Sequence, residues 1–106
     1  MQDEITTLAF SGRIDASSST GMEEDLVRVM DEGHRHIIVD LSGVEYMSSA
    51  GLRVLLATLK RIKAMKGELR LCGLQPFVRE VFDMTGFSKL FTITETVSEA
   101  ENSIRA

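Results

Sequence analysis

The densest run of side chains able to do chemistry is Ser48-Ser49-Ala50-Gly51-Leu52, directly after Asp40-Leu41-Ser42-Gly43-Val44-Glu45-Tyr46-Met47. Two hydroxyls at a helix start can cap it, because a side-chain oxygen there accepts a hydrogen bond from a free backbone N–H. The same serines can also act as a catalytic or regulatory hydroxyl. Gly51 costs helix stability, so it reads as a point where a neighbouring backbone or a partner comes close. Asp15 and Asp40 at successive strand ends suggest an acidic pair of the phospho-aspartate kind, but no lysine ends the last strand to complete that charge arrangement. Other chemistries lack their residues. There is no G-x-S-x-G elbow, and His34 and His36 fall at the start of a strand, the wrong edge for a Ser-His-Asp site. With lone Cys72 they are too few for a metal cluster, so no metal is expected. Neither G-x-G-x-x-G nor the phosphate-loop pattern occurs, and no cofactor is expected. Cys72 reads as a buried strand residue.

These groups need elements to position them. Ile5 begins a strand that Gly12-Arg13-Ile14-Asp15 either extends or ends, and a serine-rich loop, residues 17–20, follows. Thr20-x-x-Glu23 reads as a capping box for a helix with Met22, Leu26, Val29 and Met30 inward and Gly33 at its stop, and Glu23-Glu24-Asp25 suit its positive end. Residues 36–41 form a strand whose unbroken Ile37-Ile38-Val39 run predicts burial on both faces, the habit of a parallel sheet. A loop over residues 42–47 leads to the longest helix, residues 49–66, with Leu52, Leu55, Leu56, Leu59 and Ile62 as its apolar stripe and Gly67 as its end. The cations Lys60, Arg61, Lys63 and Lys66 suit the negative end of that helix without any ligand. A strand over residues 68–74, a short helix entered at Pro76 and closed at Gly86, a strand over residues 91–96 and a helix capped by Thr96-x-x-Glu99 complete the chain. The order β-α-β-α-β-α-β-α predicts an α/β fold, one domain over residues 1–106 with a mostly parallel four- to five-stranded sheet and helices packed on it. Sites on such sheets gather at the carboxyl ends of the strands. Here that edge holds residues 15–19, residues 40–50, Leu74-Gln75 and the turn after Thr94.

Composition narrows the partners. With 12 basic and 16 acidic residues among 106, the net charge of −4 gives no concentrated basic face for nucleic acid or an anionic membrane. No apolar run approaches the roughly 18 residues of a membrane span. The start Met1-Gln2-Asp3-Glu4 is acidic where a signal peptide is basic, and a single cysteine fits a reducing compartment, so a cytoplasmic protein is expected.

Three separated motifs in register resemble the STAS family, the anti-sigma factor antagonists of bacterial partner-switching systems. The stretch Asp40 through Leu52 is similar to that family's D-x-S-x-V-x-[YF]-[MI] and D-S-[STA]-G-L segments. Gly12-Arg13-Ile14-Asp15 looks like its G-x-[LI]-D turn, and Phe82-Asp83-Met84-Thr85-Gly86 like its [LF]-[DF]-x-[ST]-G segment. The resemblance implies a non-enzymatic switch. In that family the serine of the D-S-x-G segment is phosphorylated by a serine kinase that is also the anti-sigma factor. The matching position is Ser49. Ser48 stands where the family has an acid, which makes it an alternative acceptor. The chain also starts near the family's second strand, so a short or absent first strand is implied.

The resemblance implies further that the unphosphorylated chain holds the anti-sigma kinase and frees the sigma factor, and that a serine phosphatase resets it. Partner contacts fall on Asp15, Ser48, Ser49, Ala50, Gly51, Leu52 and Arg53. A phosphate adds about −1.5 to −2 charge. A helix N-terminus tolerates it, so the loss falls on a partner packed there. Two other readings stay open: a STAS module that binds another partner or a small ligand without phosphorylation, and a small enzyme of flavodoxin-like shape using the same edge.

Overall fold

The structure is a computed structural model that describes residues 4–105 of the chain. Residues 1–3, where the acidic start falls and where an additional first strand would begin, lie outside the described residues. Four strands and four helices alternate: β1 (Ile5–Ile14), α1 (Ser18–Asp31), β2 (His36–Met47), α2 (Ser49–Ala64), β3 (Glu68–Cys72), α3 (Pro76–Thr85), a 3-10 turn (Phe87–Lys89), β4 (Thr92–Thr94) and α4 (Val97–Arg105). The sheet order is β1-β2-β3-β4 and every pair is parallel, as the alternation predicts.

The two faces of the sheet are covered unequally. Ile37, Val39 and Leu41 of β2 and Leu69 and Leu71 of β3 join one cluster with Met22 and Leu26 of α1, Leu55 and Ile62 of α2, and Val78 and Phe82 of α3. Ile38 and Cys72 point to the other face and meet Ala100 of α4. The apolar run therefore buries both faces of β2, which is why its three residues have no solvent exposure. On α2 the inward stripe keeps Leu52, Leu55, Leu59 and Ile62 but leaves Leu56 only half-buried. Thr58 is buried in its place, its hydroxyl donating to the Val54 carbonyl at 2.8 Å.

Several boundaries differ from the sequence expectation. Residues 42–47 are not a loop. β1 runs on through Gly12 to Ile14, and β2 accompanies it to Met47 with register shifts between Ala9 and Ser11 and between Gly12 and Arg13. β2 holds the extra residues, so polar Ser42, Gly43 and Glu45 stay exposed while Val44 and Met47 turn inward, a bulged pattern with no period of two. α1 starts at Ser18, ahead of the Thr20-x-x-Glu23 box, and no acidic residue lies in its first turn. Its free amides are already taken by Asp15. At α4 one half of the box forms, the Glu99 N–H donating to Thr96 Oγ1 at 3.1 Å, while Glu99 Oε1 reaches one residue further back and accepts from the Glu95 N–H at 3.0 Å.

The later strands are shorter than expected, ending at Cys72 and Thr94, because Gly73 turns to φ 75° and Glu95 begins the cap of α4. α2 stops at Ala64, and Lys66, not Gly67, takes the left-handed conformation at φ 61°. Gly67 is needed for a different reason. A Cβ there would run into the Arg35 carbonyl, where the Glu68 N–H donates to Arg35 O at 2.9 Å. Of the cations at this end of α2, Arg61 reaches back to Asp31 of α1 at 2.6 Å. No helix among the described residues is long and apolar enough to cross a membrane.

Candidate functional site

The site begins where the β1–β2 ladder runs out. Ile14 pairs with Met47, and the Ser48 N–H then donates to the Ile14 carbonyl at 2.8 Å, carrying the pairing one step past the strands. Asp15 follows Ile14 directly, so this bond sets the turn after β1 beside the start of α2. Sequence order alone places these residues more than thirty positions apart; the parallel register joins them.

Ser48 is extended at φ −86°, ψ 170°, and its Oγ accepts from the Gly51 N–H at 3.3 Å. It is the N-cap, the role that the residue type predicts. Ser49 is the first residue of α2 and is exposed, and its hydroxyl makes no hydrogen bond to any described residue. Its neighbours divide by the helix period. Ala50 is half-buried and Arg53 exposed, while Gly51 and Leu52 are buried. A Cβ on Gly51 would meet Met47 Sδ and stand 2.8 Å from Ile14 Cγ2. The close approach inferred at Gly51 thus comes from the chain's own two strand ends, and the outward face of this first turn is made by exposed Ser49 and Arg53 with half-buried Ala50.

Asp15 is the most heavily bonded side chain at this edge. Its Oδ1 accepts from the Ser17 N–H at 3.1 Å and the Ser18 N–H at 3.0 Å, and from the Ser17 hydroxyl at 3.1 Å. The Ser18 hydroxyl is shared between Asp15 Oδ1 at 3.0 Å and the Arg13 carbonyl at 2.6 Å. The backbone amide of Ser18 is the main cause, followed by the Ser18 and Ser17 hydroxyls, that lowers the carboxyl from its ordinary 3.8 to about 2. Because the folded value is depressed, the stabilisation is fully present above pH 3.8 and lost as pH falls through about 2. Asp15→Ala is expected to lower Tm by on the order of 5 °C at neutral pH. The gap between variant and wild type should stay constant from pH 7 down to about 4 and close below it. A gap at pH 2 as large as at pH 7 in thermal melts would refute the cap.

Arg13 and Tyr46, which the motifs contain but residue types alone did not mark, also belong to this edge. They are register partners, and the guanidinium lies 4.3 Å from the ring centroid. The exposed cation is held in place by the ring face. Only the pairing register could have revealed them.

Other sequence candidates lie elsewhere. Asp40 pairs with Ala9, well before the end of β1, so it does not form an acidic pair with Asp15; its Oδ1 accepts from the Ser42 N–H at 3.0 Å. Burial, with Asp40 opposite, pushes the Cys72 thiol up to about 11, which keeps it protonated. His34 sits at the far end of β2, bonded through Nδ1 to Thr6 Oγ1 at 2.9 Å. A cleft of about 770 Å³ at the ends of β3 and β4 is lined by Arg79, Glu95 and Glu99 and contains none of the motif residues. Among the described residues no group of His, Cys, Asp and Glu is placed to hold a metal ion.

The STAS domain family matches residues 1–100. A candidate anti-sigma factor antagonist of Bordetella bronchiseptica, BtrV, is 36% identical over 94 residues, covering 89% of this chain and 81% of the relative. An anti-sigma-B factor antagonist of Staphylococcus aureus is 31% identical over 94 residues, covering 89% and 87%. The crystal structure of an anti-sigma factor antagonist from Mycobacterium paratuberculosis superimposes with a TM-score of 0.86 at 27% identity, covering 94% of this chain and 85% of that one.

Proposed function

The chain belongs to the STAS domain family, and from that premise we propose that it is an anti-sigma factor antagonist whose hold on a kinase-type anti-sigma factor is switched by phosphorylation of Ser49. The observation that carries the reading is the division of labour between two adjacent serines. Ser48 Oγ is half-buried and engaged as the cap of α2, whereas the Ser49 hydroxyl is exposed and makes no bond within the described residues. A kinase can reach Ser49 without unravelling the helix start.

The unphosphorylated surface of Ser49, Ala50 and Arg53, with Asp15 beside it, meets the anti-sigma factor and releases the sigma factor. A phosphate on Ser49 adds about −1.5 to −2 charge at the partner contact. Within the chain that charge faces the free N–H groups and positive end of α2, so the fold accepts it. In the complex the same charge has to be desolvated or meet a like charge, at a cost of a few kcal/mol. A serine phosphatase returns the chain to its binding state.

The test is incubation with ATP and the anti-sigma serine kinases of the same genome, followed by intact-mass measurement and peptide mapping. One added phosphate on Ser49 is the expected result. A stable complex with no phosphate would overturn the switch and leave a STAS binding module whose serines are structural.

A further inference from the structure

The order β1-β2-β3-β4 leaves two strands on the flanks of the sheet, and they differ sharply in length: β4 has three residues and β1 has ten. The outer edge of β1 has no strand partner among the described residues. A long open edge presents a row of free backbone N–H and C=O groups, and proteins that keep such an edge single do so with proline, lysine or inward-pointing charge. Residues 5–11, Ile-Thr-Thr-Leu-Ala-Phe-Ser, hold none of these. Leu8 and Phe10 pack against the core cluster yet are left only half-buried by their own chain. Among the described residues the edge is closed only at its far end, where Gly12 turns to φ 79° and the Ser18 hydroxyl takes the Arg13 carbonyl at 2.6 Å.

We infer that β1 pairs antiparallel with β1 of a second copy of this chain, about a two-fold axis at Leu8. The axis follows from the limits of the open run: Ile5 begins it, Ser11 is its last residue before Gly12 takes φ 79° within β1, and Leu8 is its middle. This register sets Leu8 on Leu8 of the second copy, Thr6 on Phe10, Thr7 on Ala9 and Ile5 on Ser11. Each pair has the same face parity, so Thr6, Leu8 and Phe10 meet their counterparts on the core side and cover the half-buried Leu8 and Phe10, while Ile5, Thr7, Ala9 and Ser11 meet on the opposite face. No like charges oppose one another, and the seam is self-complementary, as a two-fold contact requires. A seven-residue seam falls short of the roughly 800 Å² per partner of a standard interface, so the association is weak and follows concentration. The Ser49 surface lies past the closed end and stays free; the pairing does not rest on the proposed switch.

Sedimentation equilibrium of the 106-residue chain from roughly 10 μM to 1 mM spans the affinities such a seam supports. The weight-average mass is expected to rise toward twice the monomer, and Leu8→Lys is expected to hold it at the monomer. Leu8 also touches the core, so a second measurement is needed. Under mild oxidation Thr7→Cys/Ala9→Cys should link two copies through facing positions, while Thr7→Cys/Ser11→Cys, whose cysteines face one another in no pair of this register, should not. A monomeric mass across the whole range, or preferential linking of the second pair, would overturn the inference.

Discussion

Ser49→Asp is expected to weaken binding of the cognate anti-sigma kinase by about tenfold to a hundredfold, while Ser49→Ala binds like the wild type and accepts no phosphate. Each tenfold corresponds to about 1.4 kcal/mol, and an aspartate carries one charge where a phosphate carries up to two. The variant therefore gives the lower part of the full switch. Ser49 is exposed at the first position of α2, where a negative charge is favoured by the helix dipole. Ser49→Asp should accordingly keep or slightly raise Tm, so weakened binding cannot be ascribed to unfolding. Ser48→Ala makes the opposite pairing of effects. It removes the acceptor for the Gly51 N–H and costs about 1 kcal/mol of stability, yet leaves the Ser49 hydroxyl available to the kinase. Isothermal titration calorimetry beside thermal melts separates the two. Equal affinities for the Asp and Ala variants would end the switch reading.

Phe82→Ala should lower the stability of the domain by about 3–5 kcal/mol, a large share of the roughly 5–15 kcal/mol that such a domain has. Phe82 is fully buried on α3 and stands edge-on to Phe91, with ring centroids 6.0 Å apart at 71°. Phe91 in turn lies 6.4 Å from Phe87 of the 3-10 turn. These rings tie α3, the 3-10 turn and the approach to β4 onto the sheet, and β4 itself adds only three paired residues. With the Phe82 ring gone, Phe91 loses its edge-on neighbour and Val78 is the one buried side chain left on α3. Urea unfolding should show a much lower midpoint, and hydrogen exchange should show the loss concentrated at α3 and β4. A loss below about 1 kcal/mol would mean that the flank is held by other contacts.

Local signals in the residues are enough for the layering of this protein and for the identity of its helix start. Apolar period and glycine punctuation are local signals, and they sufficed for four alternating strand–helix units, for burial of both faces of Ile37-Ile38-Val39, and for a hydroxyl cap at the head of α2. The bulged half of β2 was illegible, because its exposed Ser42, Gly43 and Glu45 break the period of two and only pairing with β1 makes the segment a strand. The start of α1 was misplaced for a related reason. The amides there are captured by Asp15, whose position is fixed by the Ser18–Arg13 bond at the end of β1, and a propensity argument centred on Thr20 contains no such contact. Which of two adjacent serines is free was likewise undecided by type. Only the tertiary structure separated them: the Ile14 carbonyl fixes the Ser48 amide and orients its hydroxyl toward Gly51, and the helix that begins there turns Ser49 outward.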